Sequence, residues 1–222
     1  MLDGIFVFDN AIHCYDMSDE NLRADVPDAR YSRDLLLDMG AGGRWAGYND
    51  GSIEFRRRWT VEELYKGIPF GLMDIEAMRP NDLQRPARDF PELKFVIHHL
   101  ALPYFEEAVW IAARFPNIYL SLAANLNFTL IAPRAVQQQL GQLLQMVGSE
   151  KLCYASDAAL SGGPAPYLHA FMELEIPHDL RDGFGFPQIT RRDRENILGL
   201  TFARLMGIDV EAKHAELAAG PV

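Results

Sequence analysis

The sequence predicts an α/β fold built from parallel strand–helix units, and two observations carry that prediction. From Lys94 onward, short apolar runs of strand length alternate with longer segments of helical periodicity, the order that parallel βα units produce. Ionisable residues also follow the apolar runs, at Asp9 to His13, at His98-His99 and at Asp157. Those are the places where the C-terminal ends of strands would lie, and parallel α/β folds gather reactive side chains there.

In chain order, Ile5 to Phe8 is an apolar run ending at Asp9 and reads as a buried strand. Ser18 to Asp50 is mostly polar, and the glycine-rich stretch from Met39 to Gly51 is loop. Thr60 stands at an N-cap position with Glu63 at the capping-box position of a helix that fades at Gly67 and Pro69. Ile68 to Met78 reads equally as a strand or as a turn followed by a helix. Asn81 to Phe90 reads as a helix interrupted by Pro86. Lys94 to Ile97 is a strand running into His98-His99. Pro103 to Phe115 has apolar residues at Phe105, Val109, Ala112 and Ala113, a helical spacing. Pro116-Asn117 turns the chain into a second strand, Ile118 to Ala123. Arg134 to Val147 is an amphipathic helix with Val136, Leu140, Leu143, Leu144 and Val147 on one side. Leu152 to Ala155 is a third strand, ending at Ser156-Asp157. Tyr167 to Leu174 is a short helix, and Thr190 caps a final helix closed by Gly207.

The chain has 222 residues, 49% of them apolar, which suits a single domain over 1–222 with a sizeable core. Its formal net charge of -10 repels phosphate backbones, so nucleic acid is excluded as an expected partner. Cys14 and Cys153 form no CxxC and no disulfide ladder, so a reducing compartment is expected. The opening residues carry acids where an export signal carries bases, and no apolar run reaches transmembrane length. Cytoplasm is therefore the expected address, with no membrane partner.

Each candidate site residue has two readings. His13 suits a metal ligand through a neutral imidazole nitrogen, or a surface-loop histidine. Asp9 could orient His13 from behind by accepting a hydrogen bond from its ring, or cap the following turn. His99 could act as a general base or electrophile above a bound water, or be satisfied by backbone groups at the rim. His98 alternates with it and should face the other way, so His99 is taken as the pocket residue. Asp157 could bind a divalent metal and take a proton from its water, or cap a loop, with Ser156 fixing its backbone. His169, His178 and His214 show no ligand spacing and read as helix-surface or loop residues. Cys153 reads as core, Trp45, Trp59 and Trp110 as packing, and Arg56 to Arg58 as a solvated face.

The stretch from "DFPELKFVIHHLALPYFEEAVW" through "FPNIYLSLA", the segment "GSEKLCYASDAAL" and the closing "TRRDRENILGLTFARLMGI" together resemble the amidohydrolase-related family of metal-dependent hydrolases and decarboxylases. "FVFDNAIHCYD" is a looser match to that family's first metal-binding strand. The resemblance implies a distorted TIM-barrel-like (β/α)8 fold and a catalytic divalent metal, zinc above all. It also implies hydrolysis or nonoxidative decarboxylation of a small carboxylated substrate, often aromatic. By position, Asp157 matches the family's metal-binding aspartate, His99 its water-activating histidine and His13 the second member of its His-x-His pair. Ala11 stands where the first member would be.

A second departure is larger. Only Pro80 to Asp89 joins the N-terminal part to the "FPELKF" strand, where the family places several βα units and a further metal-binding histidine. Fewer than eight strands are readable, against the eight of a closed barrel. The barrel is therefore expected to be incomplete, and its exposed edges favour homo-oligomers. With His13 and Asp157 as the only ligands, metal binding is expected to be weak. The alternative to an enzyme is an inactive remnant of the fold, acting as a binding or scaffold protein.

Overall fold

A computed structural model describes residues 2–9, 75–157 and 164–218. At the centre is a parallel three-stranded sheet: β1 (Phe95–Ile97), β2 (Ile118–Ser121) and β3 (Leu152–Cys153), in the order β1-β2-β3. Phe95 stands opposite Ile118 and Ile97 opposite Leu120, while Leu120 and Ser121 face Leu152 and Cys153. The helices, in chain order, are α1 (Gln84–Asp89), α2 (Phe105–Arg114), α3 (Pro133–Met146), α4 (Ala165–Glu173), α5 (His178–Phe184), α6 (Arg191–Glu195), α7 (Thr201–Met206) and α8 (Val210–Ala218). Strand, helix, strand, helix, strand follow one another from β1 to β3, so the described residues form an open, incomplete α/β barrel arrangement.

β2 runs between two neighbours and is the best buried strand, with Ile118, Leu120 and Ser121 all sealed from solvent. β1 pairs with β2 alone among the described strands and its residues are only half-buried. Helix α2 lays Phe105, Ala108, Val109, Ile111 and Ala112 against the sheet, an i, i+3, i+4, i+7 stripe. Ala113, which the periodicity also placed there, is exposed. So is Trp110, at 56%, which does not pack as expected. Helix α3 buries Val136, Leu140 and Leu143, with Leu144 and Val147 partly buried against the same core. Between β2 and α3 the chain winds through a tight 3-10 segment, Asn125–Leu130, whose six residues are all buried. The Asn117 turn is anchored from its side chain: Nδ2 lies 2.9 Å from the Ala87 carbonyl and 3.0 Å from that of Leu93.

The closing helix differs from its expected form. Thr190 caps α6 and forms a capping box with Asp193. Burial opposes ionisation of Asp193, but hydrogen bonds from the Thr190 and Ser149 side chains outweigh it and hold the carboxyl below its ordinary value. After α6 the chain widens into a π turn, Asn196–Leu200, whose bond runs from the Thr201 N–H to the Asn196 carbonyl. It then narrows again into α7, which ends at Gly207 with φ +65°, a left-handed position where glycine carries no Cβ penalty.

The π turn leaves two carbonyls free to bond elsewhere. Ile197 accepts from the Tyr154 N–H at 2.7 Å and Leu198 from the Phe8 N–H at 2.8 Å. This corrects the reading of Ile5 to Phe8 as a strand. Ile5 and Phe6 are buried as expected, yet the segment makes only an isolated antiparallel bridge between Leu2 and Ile5. Its backbone is satisfied by a helix carbonyl in place of a strand ladder. Close contact is possible because residue 199 is glycine: a Cβ there would lie 2.3 Å from the Phe6 carbonyl oxygen.

Candidate functional site

Three chain segments that are remote in sequence meet beyond the C-terminal ends of β1 and β3. After β1 the chain turns sharply through His99, Leu100 and Ala101, each with φ near +54°. This left-handed turn drives Leu100 and Ala101 into the core and decides which histidine faces inward. His98 is exposed and His99 half-buried, their rings 6.3 Å apart. Non-glycine residues in this region are strained, and such strain clusters at functional positions.

His99 Nδ1 lies 3.0 Å from the carbonyl oxygen of Ala123, just past β2. A carbonyl can only accept, so Nδ1 carries a proton, and Nε2 is the ring nitrogen turned toward Asp157. That nitrogen stands 3.8 Å from Asp157 Oδ2, beyond direct hydrogen-bond range. The two groups face each other across a gap that a water or a cation would bridge when Nε2 is the acceptor of its tautomer.

Asp157 follows β3 through Tyr154, Ala155 and Ser156, all sealed from solvent. Its side chain is 5% exposed, and its φ of +54° is a second strained position in the site. Asp9 reaches the same place from the N-terminal segment: its Oδ1 accepts the Ser156 N–H at 2.8 Å. The hydrogen bonds of the π turn explain this meeting. They fix Phe8 and Tyr154 to adjacent carbonyls, which sets Asp9 beside Ser156. Burial, and secondarily the nearby Asp9 carboxylate, push the Tyr154 phenol above its ordinary value, so it stays neutral. Burial likewise pushes the Cys153 thiol up to about 12, as fits an inert core cysteine.

The structure thus brings together Asp9, His99 and Asp157. Asp9 contacts the backbone of Ser156, the residue before Asp157. The readings at His13, Cys14, Trp45, Arg56 to Arg58, Trp59 and Thr60 lie outside the described residues. His169 and His178 are exposed, as expected, whereas His214 is half-buried with its ring 5.3 Å from that of Phe6. Two contributors escaped sequence reasoning. The Ala123 carbonyl carries no side-chain signal, and Asn127, whose Nδ2 donates to the Ser156 carbonyl at 2.9 Å, belongs to no motif.

Imidazole nitrogen and carboxylate oxygen are donor types that zinc accepts, but a catalytic zinc usually takes three protein ligands. Among the described residues no group of three or more His, Cys, Asp or Glu side chains is gathered to hold an ion. The described residues by themselves therefore do not make a metal centre. No helix among them is long and apolar enough to cross a membrane.

Comparison with known proteins gives three findings. A family model described as amidohydrolase matches residues 54–208, more than half of the chain. Protein fluG of Emericella nidulans is 30% identical over 95 residues, which cover 43% of this chain and 11% of that protein. Two crystal structures of an amidohydrolase from Burkholderia multivorans are also similar. The one with bound HEPES has a TM-score of 0.43 and 17% identity, covering 88% of this chain and 64% of that one. The one with bound zinc has a TM-score of 0.41 and 19% identity, covering 79% and 63%. The chain thus spans about a tenth of the length of the curated relative and under two-thirds of each solved chain.

Proposed function

The chain belongs to the amidohydrolase family, and from that premise we propose that it hydrolyses a small carboxylated substrate, aromatic ones included, with water handled by Asp157 and His99. The observation that carries this reading is the gap of 3.8 Å between His99 Nε2 and Asp157 Oδ2. A water held there would meet a carboxylate able to take its proton and an imidazole nitrogen able to orient it. The Ala123 carbonyl keeps the ring in the tautomer that leaves Nε2 free for this task. Nonoxidative decarboxylation is the sister reaction, with the same pair delivering a proton to carbon. The family is metal-dependent. Asp157 and His13 are the residues of this chain that would hold an ion such as zinc, which supplies Lewis acidity to a bound water.

The test is turnover on a panel of small carboxylated esters, amides and aromatic acids, with and without added zinc. Asp157→Ala is expected to lower turnover at least about 100-fold while the thermal midpoint stays close to that of the parent. An inactive parent protein, or an equally active Asp157→Ala, would overturn the reading. A second reading draws on the incomplete ligand set: an inactive remnant that keeps the pocket and binds small molecules. It predicts ligand-induced stabilisation that a chelator does not remove. Elemental analysis of the purified protein separates the two, since one tightly held zinc per chain contradicts the remnant.

A further inference from the structure

We propose that Asn127 is a positioning residue that sets the Asp157 carboxylate against His99 by holding the Ser156 carbonyl. The inference rests on the reading of His99 and Asp157 as the reacting pair. Asn127 lies in the buried 3-10 segment between β2 and α3 and is only 4% exposed. Its Nδ2 donates to the Ser156 carbonyl oxygen, which belongs to the peptide that leads directly into Asp157. The tilt of that peptide sets the φ of +54° at Asp157 and so the direction in which the carboxylate leaves the chain. Ser156 is held at its other end by Asp9, through the N–H. The residue before Asp157 is thus clasped at both its donor and its acceptor.

The same stretch of chain holds the other half of the pair. Ala123 fixes His99 through its carbonyl, and the Asn127 N–H donates to the carbonyl of Ala124, the next residue, at 3.0 Å. One compact turn after β2 therefore sets both partners, although it contributes no ionisable side chain of its own. Packing does not account for asparagine at this point. Its Oδ1 is buried without a hydrogen-bond partner, and a buried polar atom left in that state costs stability. Asn125 provides a matched comparison. It lies in the same segment, is equally buried and also has an amide atom, Nδ2, buried without a partner. It lines a small void with Leu100, Leu122, Val136 and Gln139, whereas the bond to the Ser156 carbonyl comes from Asn127.

The experiment compares Asn127→Leu with Asn125→Leu in the full chain, with Asn127→Ser as a smaller substitute should the leucine variant fail to fold. Crystal structures of the parent and variants report the pair directly. In the Asn127 variant the Ser156–Asp157 peptide is expected to rotate and Asp157 Oδ2 to move out of water-bridging reach of His99 Nε2. Asn125→Leu is expected to leave both in place. On any substrate the panel yields, kcat is expected to fall at least about tenfold for the Asn127 variant, with KM within about twofold. An Asn127 variant that folds and keeps the parent geometry overturns the inference, as does an equal effect of the two leucine variants. An inactive parent whose geometry still depends on Asn127 defeats the reading of the reaction but leaves the positioning role intact.

Discussion

The run from β1 to β3 and the closing region around the π turn are held together in different ways. In the first, three short strands pair in register and two amphipathic helices cover them, so stability comes from a repeated pattern of buried apolar residues. In the second, an irregular N-terminal segment, the end of β3 and a distorted helix share the core through Ile5, Tyr154, Ile197 and Leu198 but have no ladder, only single backbone bonds to the Ile197 and Leu198 carbonyls. The regular part supplies the rigid strand ends. The irregular part brings Asp9 to Ser156, the residue before Asp157. The candidate site is thus shared by a half with a regular ladder and a half that depends on a few close contacts.

The regular half should tolerate loss of one strand contact only at large cost. Leu120→Ala on the sealed β2 is expected to destabilise by about 3 kcal/mol through lost burial and a residual cavity, measured by urea denaturation. The closing half should instead break at a position where nothing large is removed. Gly199→Ala places a Cβ against the Phe6 carbonyl and is expected to cost about 2 kcal/mol by overpacking. It should also raise hydrogen exchange at Phe8 and Tyr154 while β2 amides stay protected. Equal loss of protection in both regions would remove the distinction between them. Thr190→Ala removes the cap of α6 and is expected to cost about 1 kcal/mol. Asp193 is held below its ordinary value in the fold. Its contribution is therefore present above the unfolded-state pKa and lost as pH falls through the folded one. The Thr190→Ala variant should show a smaller loss of stability on acidification than the parent.

The smallest expected effect lies inside the regular half. Lys151 is half-buried, and its Nζ donates to the carbonyls of Ala112 and Phe115 at the end of α2. Burial lowers its ammonium to about 8 from 10.5. The unfolded chain binds the proton more readily between those values, so stability should rise as pH increases through that window. Solvent screening keeps the gain under about 1 kcal/mol. Lys151→Met should abolish this rise in a pH series of urea midpoints.

Much of the regular half was legible because burial leaves a period in the sequence. The runs Lys94 to Ile97, Ile118 to Ala123 and Leu152 to Ala155 hold strands whose ends fall within two residues of the expected ones, and the α2 and α3 stripes are largely those read from spacing. The closing half was less legible. "NILGL" looks helical because a π turn and an α-helix differ by one residue in bond register and scarcely at all in composition. "IFVF" looks like a strand because it is apolar, yet its hydrogen-bond partner is a helix carbonyl that no local pattern announces. In the site, His99 and Asp157 stood out as ionisable residues after apolar runs. The choice of His99 over His98 rested on strand alternation, whereas the structure achieves it with a left-handed turn. Ala123 acts through its backbone and Asn127 on one, and such roles leave no signature in residue type.

The π turn also works as a length gauge. Were Asn196–Leu200 to wind as an ordinary α-helix with all five residues kept, local bonding would improve but the extra residue would no longer be absorbed. Everything beyond it would then swing by most of the roughly 100° that one helical residue turns. Thr201, whose hydroxyl donates to the Ser149 carbonyl, and Arg204, which donates to Asn196 Oδ1, would both face the wrong way. The irregularity is thus the spacing that allows a single helix to grip the loop before β3 on one side and the start of the chain on another.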